Sequence, residues 1–201
     1  MNNINKKQFT MDVQDLTYLY QYAHCAEFII ETGGGGSSTQ CLAQALKTDT
    51  AKMVSIELVA EKVVPFSRVE FMIGWSIRFD DIIKKGHPLF FESRYYQVID
   101  SDPAHGINNM EGETDLIRKA IKKHGSPDFF FCDTGEYCGL AEWNIVKDKI
   151  PLGGYFAIHD VNYPKSIKGF QVFKQMVVDN NWDIILKTNT RQGLCIGRKI
   201  K

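Results

Sequence analysis

Carboxylates recur beside glycines and small hydroxyls at a few places in this chain: Glu31 ahead of Gly33-Gly34-Gly35-Gly36-Ser37, then Glu57, Gly74-Trp75-Ser76, Asp133 and the pair His159-Asp160. Glycine has no Cβ, so a run of it turns sharply and lets a ligand lie against backbone amides beside a helix N-terminus. A pyrophosphate would use such a terminus, but Glu31 would repel it. The arrangement suits a zwitterion: Glu31 attracts an ammonium, while amides of the loop formed by Gly33, Gly34, Gly35 and Ser37 hold a carboxylate. Glu57, about 20 residues beyond the glycines, is placed to accept hydrogen bonds from two ribose hydroxyls. His159 or Asp160 could take a proton from a nucleophile, and Asp133 with Asp160 could hold a hard cation such as Mg2+.

These groups act together only if the fold carries them to one edge. Residues 10–25 place Val13, Leu16, Leu19, Tyr20 and Ala23 at helical spacing, and Phe28-Ile29-Ile30 is a short apolar run closed by glycines, as a buried strand would be. Ser37, Ser38 and Thr39 offer caps for a helix that buries Leu42, Ala45 and Leu46. Met53-Val54-Ser55-Ile56 and Val69-Glu70-Phe71-Met72-Ile73 read as strands, and Pro65 between them leaves room for only a reduced helix. Further on come a helix over 113–124, strands at Phe129-Phe130-Phe131-Cys132 and Tyr155-Phe156-Ala157-Ile158, and a helix over 167–179. The last two strands, 182–186 and 193–197, are separated by too few residues for a crossover helix and must pair antiparallel.

Apolar runs without alternation, separated by helices, define a doubly wound α/β fold: a mostly parallel seven-stranded sheet with helices on both faces and a C-terminal antiparallel hairpin. The reading is one domain over 1–201, with 1–25 as an N-terminal helical extension and 84–126 as an insertion that forms a substrate lid. In such sheets the ligand lies beyond the carboxyl ends of the strands, where all the acids named above fall.

A ligand that carries an amino acid at one end and a ribose nearby is S-adenosylmethionine. With those residues in view, the chain resembles the class I S-adenosylmethionine-dependent methyltransferases, in particular their small-molecule O-methyltransferases, over about residues 25–199. Glu31 to Ser37 resembles that family's E-x-G-x-G-x-S/T loop, and Glu57 its ribose-binding acid. Gly74-Trp75-Ser76 resembles the G-x-S after the third strand, which implies that Ser76 and Ile77 border the adenine. Asp133 holds the family's fourth-strand acid position, and Pro151-Leu152-Gly153-Gly154 through His159-Asp160 resembles its turn and fifth strand. The metal-dependent branch carries an Asp-Asn pair after that strand; here Val161 follows Asp160, and Asn162 stands one place late.

The resemblance implies a methyltransferase with S-adenosylmethionine as cofactor, Mg2+ as a candidate second cofactor, and a small-molecule acceptor methylated at oxygen. Trp75, Tyr137, Trp143 and Tyr163 are candidate walls for an aromatic acceptor. Two other classes stay open: a nicotinamide-dependent oxidoreductase, against which the incomplete G-x-G-x-x-G counts, and a non-catalytic protein that keeps the fold.

Composition narrows the partners. Lys plus Arg equals Asp plus Glu at 24 each, which gives no general attraction to nucleic acid or anionic lipid. No apolar run approaches the roughly 18 residues of a membrane span, and the polar start lacks the apolar stretch of a signal peptide. The expectation is a soluble, cytoplasmic protein with no nucleic-acid or membrane partner, compatible with a homodimer. The five scattered cysteines, without a C-x-x-C, are read as reduced thiols.

Overall fold

A computed structural model describes residues 11–82, 112–163 and 166–201. Its centre is a seven-stranded sheet of order β3-β2-β1-β4-β5-β7-β6. The strands are β1 Phe28–Thr32, β2 Lys52–Glu57, β3 Val69–Ile73, β4 Phe129–Cys132, β5 Tyr155–His159, β6 Trp182–Lys187 and β7 Leu194–Lys199. The first five run parallel, and β7 lies antiparallel between β5 and β6.

Both faces of the sheet are apolar because successive strand residues enter different cores. On one face Ile30, Val54, Phe130 and Phe156 pack beneath the helices α3 Leu116–His124, α4 Gly139–Val146 and α5 Val172–Val178. On the other, Ile29, Met53, Phe131 and Ala157 pack beneath α1 Val13–Ala23 and α2 Ser37–Ala45. A single 3-10 turn, Ala60–Lys62, stands between β2 and β3, as Pro65 leads one to expect.

The 1–25 extension contributes α1, whose Leu19 and Ala23 are buried in the second core. Of the 84–126 stretch read as a lid, residues 84–111 lie outside the described residues, and α3 at its far end is part of the fold proper, with Leu116, Ile117 and Ala120 fully buried. Helix α4, to which the sequence reading assigned no element, is buried on almost every side, so it lacks the polar face that makes a helix legible. Trp143 on α4 is fully buried in this core, edge-on to Phe156 and tilted against Trp182, so it is no wall of an acceptor pocket.

The chain runs from β1 through β2 to β3 toward one edge and from β4 onward toward the other. The order therefore reverses between β1 and β4, where a crevice opens at the carboxyl ends of the strands.

Candidate active site at the strand tips

Glu31 lies at the tip of β1 with no exposure to solvent. Its Oε2 accepts hydrogen bonds from Thr39 Oγ1 at 2.6 Å and Ser55 Oγ at 2.8 Å, while Oε1 has no hydrogen-bond partner. Burial pushes the carboxyl up to about 7. An unpartnered carboxylate oxygen at this depth offers a cationic ligand group its partner.

The glycines let the chain turn away from Glu31. A Cβ on Gly33, whose φ is +76°, would overlap the carbonyl of Asp133 at the tip of β4, and one on Gly34 would overlap Ser55 Oγ. The loop is thereby pressed against the switch point. One sequence expectation needs correction: the amides of Gly33 and Gly34 donate to the carbonyl of Ile56, and that of Gly35 donates to Thr39 Oγ1. Two of these amides tie the loop to β2 and the third ties it to the first turn of α2. The N–H groups without an intrahelical partner belong to the first turn of α2, which begins at Ser37.

Glu57 ends β2 almost fully buried, and its Oε1 accepts the Val59 amide at 2.9 Å. That bond fixes the side chain at the tip of β2. Ser76 Oγ donates to Glu142 Oε1 at 2.5 Å, while Thr32 Oγ1 and Cys132 Sγ reach Glu142 Oε2 at 2.7 and 3.2 Å. Glu142 ties the tips of β1 and β4 to the segment after β3. Its carboxyl is raised by burial, which hydrogen bonds from Ser76, Thr32, Cys132 and Thr134 only partly offset. Ile77, the other expected adenine neighbour, is fully buried.

Beyond β4 and β5 lies a second group of charges. Asp133, Asp160 and His159 bring one potential ligand atom each within 4.8 Å of one another. His159 is buried, with Nδ1 at 3.3 Å from Asp133 Oδ1 and Nε2 at 3.9 Å from Asp15 Oδ2 on α1; Asp15 also accepts from Thr190. Nδ1 also lies 3.8 Å from Asp160 Oδ1, so the imidazole sits among three carboxylates. Asp160 takes a left-handed φ of 66°, a strained conformation for a residue with a Cβ.

Lys168, which the sequence reading did not single out, reaches into this group. Its Nζ lies 2.9 Å from Asp133 Oδ1 and 2.5 Å from Asp160 Oδ2, and its side chain is 5% exposed. Burial would favour the neutral amine, but the two aspartates outweigh it and raise the group above its ordinary value. Asp133 answers in the opposite sense: burial would raise it, yet Lys168 and His159 hold it below the usual carboxylate range. A sequence signal was present, because Lys168 is spaced by fours with buried Val172 and Met176, and a lysine on an apolar stripe needs an acid. Glu142, inside Leu140-Ala141-Glu142-Trp143, gave the same signal.

These donors do not fit the Mg2+ read onto Asp133 and Asp160. The ammonium already bridges both carboxylates, and a dication among them would meet its charge at close range. A separate cleft of about 610 Å³ between α3 and α4, lined by Asp81, Arg118 and Lys149 among others, includes none of the strand-tip acids.

No family model matches the chain, and no curated protein matches it. Solved structures do. It is similar to the O-methyltransferase from Bacillus cereus in complex with SAH, at 16% identity and a TM-score of 0.58, covering 96% of this chain and 85% of that one. It is similar to the O-methyltransferase TomG from Streptomyces achromogenes, involved in tomaymycin synthesis and in complex with SAM, at 15% identity and a TM-score of 0.58, covering 96% and 82%. The SAH-bound methyltransferase PaMTH1 of Podospora anserina follows at 11% identity and 0.59, covering 99% and 83%. The chain has the class I S-adenosylmethionine-dependent methyltransferase fold.

Proposed function

We propose that this protein is an S-adenosylmethionine-dependent methyltransferase that acts on an oxygen of a small molecule. The observation that carries the reading is Glu31: a fully buried carboxylate with one unpartnered oxygen, at the switch point of the sheet, beside a loop in which Gly33 and Gly34 leave no room for a Cβ. Three of the structural neighbours hold SAH, SAM and SAH, which supports it.

In this reading Glu31 holds the ammonium of the cofactor, the first-turn amides of α2 from Ser37 hold its carboxylate, and Glu57 holds the ribose. Ser76, its hydroxyl tied to Glu142, and Ile77 border the adenine by contact. Asp133 stands between the cofactor and the acceptor. When bound, the sulfonium supplies a methyl group, and the sulfur keeps the electron pair of the broken bond. Asp160, 17% exposed at its side chain, takes the proton of the acceptor hydroxyl. Buried His159 is a positioning residue that orients Asp133. Holding two reactants in line can by itself lower the barrier by roughly 7 to 11 kcal/mol in favourable models.

Calorimetric titration with S-adenosylmethionine, S-adenosylhomocysteine and NAD tests the reading. Binding of the first two and not the third is expected; NAD binding, or no binding of any, overturns it. A panel of phenols, sugars and amines, read by mass for the gain of one methyl group, then identifies the acceptor class.

A further inference from the structure

We propose that Lys168 is a built-in cation that takes the place of a divalent metal between Asp133 and Asp160, so that this protein works without a metal ion. The acceptor role of the site rests on the methyltransferase reading; the displacement of the metal does not.

Several contacts fix the ammonium there. Ser166 caps the π-helical turn Ile167–Gln171 by accepting the Gly169 amide at 2.9 Å. Glu136 in turn accepts both the Ile167 amide and, at 3.1 Å, the Ser166 hydroxyl, so the segment after β4 anchors the start of the helix after β5. Gly169 has no Cβ to hold it off: one placed there would overlap the carbonyl of Asp160. Gly139 at the head of α4 likewise makes room, since a Cβ on it would collide with Lys168 Cγ. Two glycines, a cap and a carboxylate thus set the course of the lysine stem, whose end lies between the two aspartates.

Charge gives the arrangement its chemical consequence. Two carboxylates with a dication sum to zero; with one ammonium they keep one negative charge. A metal ion acts as a Lewis acid on an oxygen bound to it, whereas an ammonium held between two carboxylates does not. A divalent ion also opens adjacent coordination positions to a chelating diol, which an ammonium does not.

The test is metal binding, read independently of methyl transfer. Wild-type protein titrated with Mn2+ and followed by electron paramagnetic resonance is expected to show no site that depends on Asp133. Lys168→Ala is expected to gain one, at least tenfold tighter, and Lys168→Ala with Asp133→Asn to lose it again. Lys168→Gln, which keeps a donor between the aspartates without the charge, replaces Lys168→Ala if thermal melting shows the latter unfolded. An Asp133-dependent Mn2+ site in the wild type overturns the proposal, and so does a folded Lys168 variant that gains none. Because no cofactor enters this titration, its failure is distinct from a failure to bind S-adenosylhomocysteine.

Discussion

At the scale of single residues, Glu31 has a pH dependence of known sign. Its carboxyl is raised from 4.5 to about 7 by burial, so the folded chain keeps a proton that the unfolded chain releases. The unfolded state binds fewer protons between those values. Stability falls as the pH rises through that window and levels off above it, by roughly 3 kcal/mol for this group. Glu31→Gln removes that part of the fall, so the difference in Tm between variant and wild type is expected to widen from about pH 5 to about pH 7. A ligand ammonium facing Oε1 reverses the shift: binding of S-adenosylhomocysteine near pH 6 should release a proton, read by calorimetry in two buffers of different ionisation heat. Glu57→Ala should weaken the same binding by about 1 to 3 kcal/mol, because ribose hydroxyls lose a charged acceptor. Glu31 and Glu57 were legible because each closes an apolar run beside a break in the chain. Lys168 and Glu142 were not singled out because their partners are distant in sequence: Lys168 meets Asp133 and Glu142 meets Ser76 only after the sheet has formed.

At the scale of elements, the turn after β1 and the helix start after β5 carry the site, and both depend on small residues. Gly34→Ala should destabilise the fold by about 1 to 3 kcal/mol, since the new methyl meets Ser55 Oγ and lies 2.9 Å from Glu31 Oε2. Gly135→Ala, where a Cβ meets nothing within 4 Å, should stay within about 0.5 kcal/mol of wild type in urea unfolding. Ser166→Ala should lose about 0.5 to 2 kcal/mol with the cap. The tetraglycine run marked the tight turn after β1, but not the partners of its amides. Sequence shows that Gly33 to Gly35 can turn tightly; it does not show that the turned chain directs its N–H groups to Ile56 and Thr39. The helix read over 167–179 was found in place, but its opening π-helical turn, which sets the direction of Lys168, has no mark in the apolar spacing.

At the scale of the whole molecule, the strands were legible because each is a short, dense apolar run, and the hairpin because the gap before β7 is brief. Helix α4 was not, since a helix buried all round shows no periodic contrast. The sheet order follows from these pieces except at its end, where β7 inserts beside β5 and leaves β6 outermost. Strand β6 pairs with β7 alone among the described residues. A chain lacking residues 194–201 is therefore expected to lose two strands from the sheet, and its denaturation curve should lose cooperativity. The same insertion has a consequence during synthesis. Until β7 has left the ribosome, the flank of β5 that carries Ala157 and Ile158 has no strand beside it, and a nascent chain stalled at that stage presents an unsealed seam to chaperones and to other nascent chains.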